Sequence, residues 1–517
     1  MTTQISHFID GQRTAGQSTR SADVFDPNTG QIQAKVPMAG KSDIDAAVAS
    51  AVEAQKGWAA WNPQRRARVL MRFIELVNDT IDELAELLSR EHGKTLADAR
   101  GDVQRGIEVI EFCLGIPHLL KGEYTEGAGP GIDVYSLRQP LGVVAGITPF
   151  NFPAMIPLWK AGPALACGNA FVLKPSERDP SVPVRLAELF IEAGLPAGVF
   201  QVVHGDKEAV DAILHHPDIK AVGFVGSSDI AQYIYAGAAA TGKRAQCFGG
   251  AKNHMIVMPD ADLDQAVDAL IGAGYGSAGE RCMAISVAVP VGDQTAERLR
   301  ARLIERINNL RVGHSLDPKA DYGPLVTGAA LARVRDYIGQ GVAAGAELVV
   351  DGRDRASDDL TFGLPEGDAN LEGGFFIGPT LFDHVAAHMS IYNRRNLRAG
   401  VVHGSRPRLR RGVAAAVGAR IRQRGGDLHP RRRRGPRLRL PGAGGHGRRQ
   451  RADPGAGGLP HFRRLEALRL RRPQPARPGG NPVLHQGQDR HVAMAVRHQG
   501  RCRIRHPHNE LACHVCP

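Results

Sequence analysis

The segment Gly276-Ser277-Ala278-Gly279-Glu280-Arg281-Cys282-Met283-Ala284 sets a cysteine on a glycine-rich turn between a helical stretch and a strand-like one. A thiolate is a good nucleophile toward a carbonyl, and glycines let backbone N–H groups approach the oxygen that such an attack would charge. A half-buried structural thiol is the commoner role of a lone cysteine, so the other segments must decide. Thr148-Pro149-Phe150-Asn151-Phe152-Pro153 follows a strand-like run. An asparagine fixed between two prolines can aim its amide at a developing oxyanion, although the same residues serve equally well as a rigid turn. In Val172-Leu173-Lys174-Pro175-Ser176-Glu177 a lysine and a glutamate stand just beyond the next strand. Doubly wound sheets bind nucleotides there, where such side chains bond ribose hydroxyls; a solvated loop would read the same way. Gly223-Phe224-Val225-Gly226-Ser227-Ser228 precedes a helix whose free N–H groups suit a pyrophosphate, a weak signal taken alone.

The elements that must position these segments alternate in kind. Between 43 and 112, apolar residues recur three and four apart (Val69, Phe73, Ile74, Val77, Ile81, Leu84, Leu87, Leu88), which predicts helices. From 141 onward, short apolar runs at 141–145, 170–173, 199–203 and 221–224 predict buried strands, with amphipathic helices at 182–193, 207–215 and 230–240. A second series follows: strand 254–258, helix 263–273, strand 284–291, helices 295–310 and 329–344, and strand 347–350. Such alternation predicts an α/β chain with two doubly wound parallel-sheet domains.

The 517 residues carry a formal charge of +12, but two unlike parts make it up. Residues 1–392 hold 35 Lys+Arg against 48 Asp+Glu, whereas 393–517 hold 30 Arg, no Lys and 5 Asp+Glu. The first part is an ordinary, slightly acidic chain, long enough for two or more domains. Its single cysteines (Cys113, Cys167, Cys247, Cys282) form no disulfide framework and fit a reducing compartment. The polar start resembles no signal peptide, and Pro149, Asn151, Pro153, Pro157 and Lys160 interrupt the most apolar later stretch, so a cytoplasmic protein with no membrane segment is expected. The tail from 393, with the run Arg431-Arg432-Arg433-Arg434 and no Tyr or Trp, has the composition of a disordered segment. Polyanion binding is the one function this tail suggests, and without interleaved aromatics it would be non-specific.

Together, in this order and spacing, the chemistry-bearing segments resemble the aldehyde dehydrogenase superfamily, closest to its CoA-acylating methylmalonate-semialdehyde dehydrogenases. The resemblance spans residues 1 to about 392 and is carried by ITPFNFPAM from Ile147, VVHGDKEAV from Val202, AKNHMIVMPDADL from Ala251 and GYGSAGERCMA from Gly274. It implies Cys282 as the nucleophile and Asn151 with the Cys282 N–H as the oxyanion site. Hydride transfer to NAD would leave a thioacyl enzyme. Thr148, Phe150, Lys174, Glu177, Arg178, Gly226, Ser227 and Gly249 fall where the family binds this cofactor. The implied layout is an NAD-binding domain at 1–122 and 140–249, the start of a small β oligomerisation arm at 123–139, a catalytic domain at 250–392, and an aberrant tail at 393–517. With an intact C-terminus a homo-oligomer, dimer or tetramer, is expected.

Two departures from the family pattern bear on mechanism. Where hydrolytic members read Glu-Leu-Gly-Gly, the Glu activating water, this chain reads Cys247-Phe248-Gly249-Gly250. Lacking that base, it should release the acyl group to an external thiol, coenzyme A, as co-substrate. A β-carboxylate on the acyl group would leave as bicarbonate first, giving propionyl-CoA or acetyl-CoA, and such a substrate needs a fixed cation. Arg281, beside the nucleophile, and Arg105, on the helix expected to border the tunnel, are the candidates; on pattern alone Arg105 could equally pair with Asp102 or Glu108 on a helix surface. The second departure comes after Tyr392, where the family's Glu-Ile-Phe-Gly-Pro-Val motif is missing. Moving one base forward in GC-rich codons from Asn393 permits TDEIFGPVL, and the stretch from Phe462 permits SGGWKRSAFGD, so the tail reads as an out-of-frame translation. Cys513, Cys516, His506, His508 and His514 have metal-ligand chemistry but poor spacing, and no metal site is expected.

Overall fold

The computed structural model describes residues 3–353, 371–393 and 400–403, the last four and Asn393 by backbone alone. Among them, Gly122–Leu137 forms a compact unit of its own and the rest a second unit. The small unit is an antiparallel hairpin, Tyr124–Gly129 with Ile132–Tyr135, at the place expected for the arm.

The large unit holds two main sheets. The first has seven strands in the order Arg244–Phe248, Ile219–Val225, Val143–Ile147, Ala170–Lys174, Phe200–Val202, His7–Ile9 and Gln12–Thr14. The first five run parallel, and an antiparallel hairpin from the N-terminus closes the far edge. Every residue of Val143–Ile147 and Ala170–Lys174 is buried, as expected of parallel strands covered on both faces. Their side chains alternate between two cores. Val143, Ala145, Ile147, Ala170 and Val172 face Ile44, Ala47, Val48 and Ala51 of helix Lys41–Ala60. Val144, Phe171 and Leu173 face a larger core built from helices Pro63–Asp79, Ile81–His92, Leu96–Cys113, Met155–Ala166 and Ser181–Glu192.

The second sheet runs Asn253–Val257, Ile285–Pro290, Gly400–His403, Thr380–Asp383 and Glu347–Val350, parallel except for the last strand. The catalytic domain expected to end at 392 therefore extends further: Gly400–His403 pairs on both sides inside this sheet, a run with two β-branched valines that suits a strand. Apart from this strand and the backbone of Asn393, the expectations for 393–517, with the Arg run and the Cys/His cluster, lie outside the described residues. Among the described residues no helix is long and apolar enough to cross a membrane.

His7, in the N-terminal hairpin, stacks on His204 at 5.6 Å between ring centroids, and both are fully buried. Burial pushes His7 down to about 4, with the Asp43 carboxylate opposing, and His204 down to about 3 with help from the neighbouring His7. Unfolded histidines take up protons below about 6.5, which these two resist when folded. Their contribution to stability is thus complete above pH 6.5 and is lost as pH falls toward 4. Thermal melting should show a midpoint that declines across that window, and His204→Gln should flatten the decline; an unchanged slope would disprove the assignment.

Candidate active site

The turn that carries Cys282 is formed under strain. Helix Leu263–Tyr275 ends at Gly276, and Ser277, Ala278 and Gly279 then take left-handed backbone angles with φ of 53°, 50° and 73°. Two of the three carry a Cβ, at on the order of 1–3 kcal/mol apiece, and both are buried, so the surrounding packing holds the turn. Beyond it, Asn253 donates through Nδ2 to the carbonyls of Cys282 (3.1 Å) and Ala284 (3.0 Å). Cys282 is half-buried and lies against Phe152, Met155 and Ile156.

Asn151 reaches this turn from the first sheet. It sits in the loop after strand Val143–Ile147, and its Nδ2 donates to the carbonyl of Glu280 at 2.8 Å. A primary amide has two N–H groups, so one is anchored two residues before Cys282 and the other is left to donate to a further acceptor. Asn151 is itself held from behind. Lys94 Nζ donates to its backbone carbonyl (2.8 Å) and pairs with Asp102 (3.0 Å), with side-chain exposures of 1% and 0%. Asp102 in turn accepts from the N–H of Met155 at 2.8 Å, where helix Met155–Ala166 begins. Burial pushes the Asp102 carboxyl above its ordinary range, with Lys94 and the Met155 and Ala154 N–H groups opposing it.

The expected cofactor residues gather at the carboxyl ends of the parallel strands. Thr148 follows Ile147, and its buried Oγ1 has no hydrogen-bond partner. Lys174 closes its strand, donates to the Gly205 carbonyl (2.7 Å) and lies 3.6 Å from Glu177. Burial lowers the Lys174 pKa, with Glu177 opposing. Arg178 stands 5.2 Å from the Phe150 ring centroid. Gly226 and Ser227 lead into helix Ser228–Ala240, and the Ser227 side chain makes no capping bond to it. Gly249 approaches so closely that a Cβ there would lie 3.0 Å from Ser228 Oγ. Cys247, at the position of the hydrolytic general base, is half-buried, and burial pushes its thiol above its ordinary value while Lys160 opposes. A neutral thiol does not activate water.

The two arginines adjoin Cys282 through its neighbours in sequence. Arg105 does not pair with Asp102, which Lys94 occupies; its NH1 meets Met283 Sδ at 3.3 Å. Arg281 forms an ion pair with Asp98, and its NH1 donates to the Gly272 carbonyl at 3.2 Å.

A strained cysteine turn, an amide aimed beside it and strand ends built for a dinucleotide define an aldehyde-oxidising site. The chain belongs to the aldehyde dehydrogenase family, whose model matches residues 14–395. It is 54% identical over 388 residues, 75% of this chain and 76% of the other, to a malonate-semialdehyde dehydrogenase of Pseudomonas aeruginosa. Among solved structures it is similar to a Sinorhizobium meliloti 1021 protein complexed with NAD and assigned as a methylmalonate-semialdehyde dehydrogenase: 61% identity, TM-score 0.75, covering 79% of this chain and 81% of that one. A methylmalonate-semialdehyde dehydrogenase from Oceanimonas doudoroffii gives 48% identity and TM-score 0.76, covering 80% and 82%.

Lys94, Asn253 and the bracing role of Asp102 are not among the features that the sequence motifs single out. A signal for Asp102 was present: it falls in register with Ala99, Val103, Gly106 and Ile107, the buried face of helix Leu96–Cys113. An acid at a core position needs a buried partner. Lys94→Met should cost about 3–5 kcal/mol of stability by stranding Asp102. Lys94→Met with Asp102→Leu should recover most of that stability but not turnover, because the Asn151 carbonyl still lacks its donor. Denaturant unfolding beside steady-state kinetics checks both, and recovery of turnover with stability would refute the bracing role.

Proposed function

We propose that the enzyme oxidises malonate or methylmalonate semialdehyde with NAD and transfers the acyl group to coenzyme A. The carboxylate is lost as bicarbonate, and the products are acetyl-CoA or propionyl-CoA. The observation that carries this reading is the pair of arginines bracketing Cys282, one on the residue before it and one against the residue after it, joined with the absence of a carboxylate at Cys247.

The Cys282 thiolate attacks the aldehyde carbon, and the oxyanion takes the free N–H of Asn151 and the Cys282 N–H. The partnerless Thr148 hydroxyl, the Lys174–Glu177 pair and the uncapped helix start at Ser227 fit a nicotinamide dinucleotide, with Phe150, Arg178, Gly226 and Gly249 beside it. When bound, its nicotinamide accepts a hydride. Cys282 is then left carrying a thioacyl group, and Arg281 and Arg105 hold the β-carboxylate until it leaves. With no general base for water at Cys247, the thiol of coenzyme A is the acceptor. The names of the relatives at 54% and 48% identity support the substrate class.

With an intact C-terminus the reading includes a homo-oligomer, dimer or tetramer, assembled through the hairpin and working in a cytoplasm that keeps Cys282 reduced. It also takes the residues from 393 as translated out of frame, which sequencing the gene across the codons for Tyr392 and Asn393 checks directly. Without coenzyme A, purified enzyme should form one NADH per active Cys282 and stop; with it, turnover should be sustained. Sustained turnover without coenzyme A would point to a hydrolytic enzyme and overturn the acylating reading. Asn151→Ala should lower kcat by about 10²–10³-fold, measured as NADH formation at saturating substrate.

A further inference from the structure

Asp98 opens helix Leu96–Cys113, its N–H bonded to Thr95 Oγ1 at 3.4 Å. It shares a helix face with Asp102 and Arg105, at spacings of four and three residues. Its carboxylate pairs with NH2 of Arg281, while NH1 of Arg281 donates to Gly272. The guanidinium also lies on Gly276, where a Cβ would come within 2.8 Å of Cζ, NH1 and NH2. Three contacts thus define where the group sits. A guanidinium has five N–H donors in a rigid fork, so after Asp98 and Gly272 three remain.

We propose that Asp98 is a positioning residue for the substrate carboxylate, acting through Arg281 by holding one edge of its fork so that the remaining donors face the aldehyde bound at Cys282. This rests on the reading above, in which Arg281 and Arg105 receive that carboxylate. A purely electrostatic view of Asp98 predicts the opposite sign. Removing its charge would make the surroundings more positive and tighten an anionic substrate, whereas loss of positioning weakens it.

The test compares KM and kcat of the full-length enzyme for malonate semialdehyde and for propanal in wild type, Asp98→Asn, Gly276→Ala and Arg281→Ala. Asp98→Asn should raise KM for malonate semialdehyde about tenfold, the size of one well-aligned bond to a charged group, and by far more than it changes kcat or the KM for propanal. Gly276→Ala should produce the same split with Asp98 intact, because φ −51° and ψ 137° accept alanine and the new methyl displaces the guanidinium. A KM for malonate semialdehyde that falls in Asp98→Asn, or rises no more than that for propanal, overturns the proposal, as does a wild-type KM ratio in Gly276→Ala. If Arg281→Ala also leaves the ratio unchanged, the carboxylate reading falls with it. If Arg281→Ala shifts the ratio and Asp98→Asn does not, the role of Asp98 alone falls.

Discussion

Withdrawing an ammonium and a carboxylate from water costs several kcal/mol for each ion even after relaxation, and the Lys94–Asp102 pair sits in the interior at 3.0 Å. Such a pair is tolerable only when its remaining bonds are made. Here the Asn151 carbonyl and the Met155 N–H make them, so the Asn151 loop is part of what satisfies the buried charge. The dependence runs both ways: the ions need the loop's backbone polar groups, and the loop takes its shape from the ions. Exposed pairs in the same domain, such as Arg90 with Glu86 one helical turn apart, carry no such constraint and contribute about 0.3–0.5 kcal/mol at most.

The helix Leu96–Cys113 organises the site through this constraint. Most of its inward face is apolar, with Ala99, Val103, Ile107 and Ile110 in the core. Along that stripe and its solvent edge it sets three polar groups with different partners: buried Asp102 holds the Lys94 ammonium and the Met155 N–H, half-buried Asp98 pairs with Arg281, the residue before Cys282, and exposed Arg105 meets Met283, the residue after it. Since successive turns of one rigid helix carry all three, their relative positions vary little. The bond from Asn151 to the Glu280 carbonyl then ties a loop of the first sheet to the turn of the second, so the Cys282 thiol and the Asn151 amide are placed by a single connected set of contacts.

What could be read from the chain follows from how local each signal is. Strand Glu347–Val350 and helix Lys207–His215 came out residue for residue, because alternation, periodicity and an Asp206 cap are local properties. Helix Met155–Ala166 did not, since Pro157 and Pro163 argue against a helix; Pro157 falls in the first turn, where no intrahelical N–H is lost. The strands of the first forty residues are short and partly polar, and two of them also pair with partners distant in sequence. Within the site, Cys282 and Asn151 were legible because their neighbours form long, specific motifs. Lys94 was not: it lies 57 residues from the carbonyl it serves, and nothing local distinguishes a buried lysine from an exposed one.

The same division between local and distant signals explains the second sheet. Its central strand, Gly400–His403, comes from beyond the point where an acidic chain turns arginine-rich, yet it pairs with Ile285–Pro290 on one side and Thr380–Asp383 on the other. A ladder is made by backbone N–H and C=O groups, which every non-proline residue supplies. Beyond that, two β-branched valines in Gly-Val-Val-His are of the residue types that favour strands. If the strand were missing, both neighbours would present unpaired edges in the middle of the domain, next to the strand that begins three residues after Cys282. The Cys282 turn therefore depends on a segment whose contribution is backbone geometry, and this is why a change of composition around it is compatible with the sheet beside that turn.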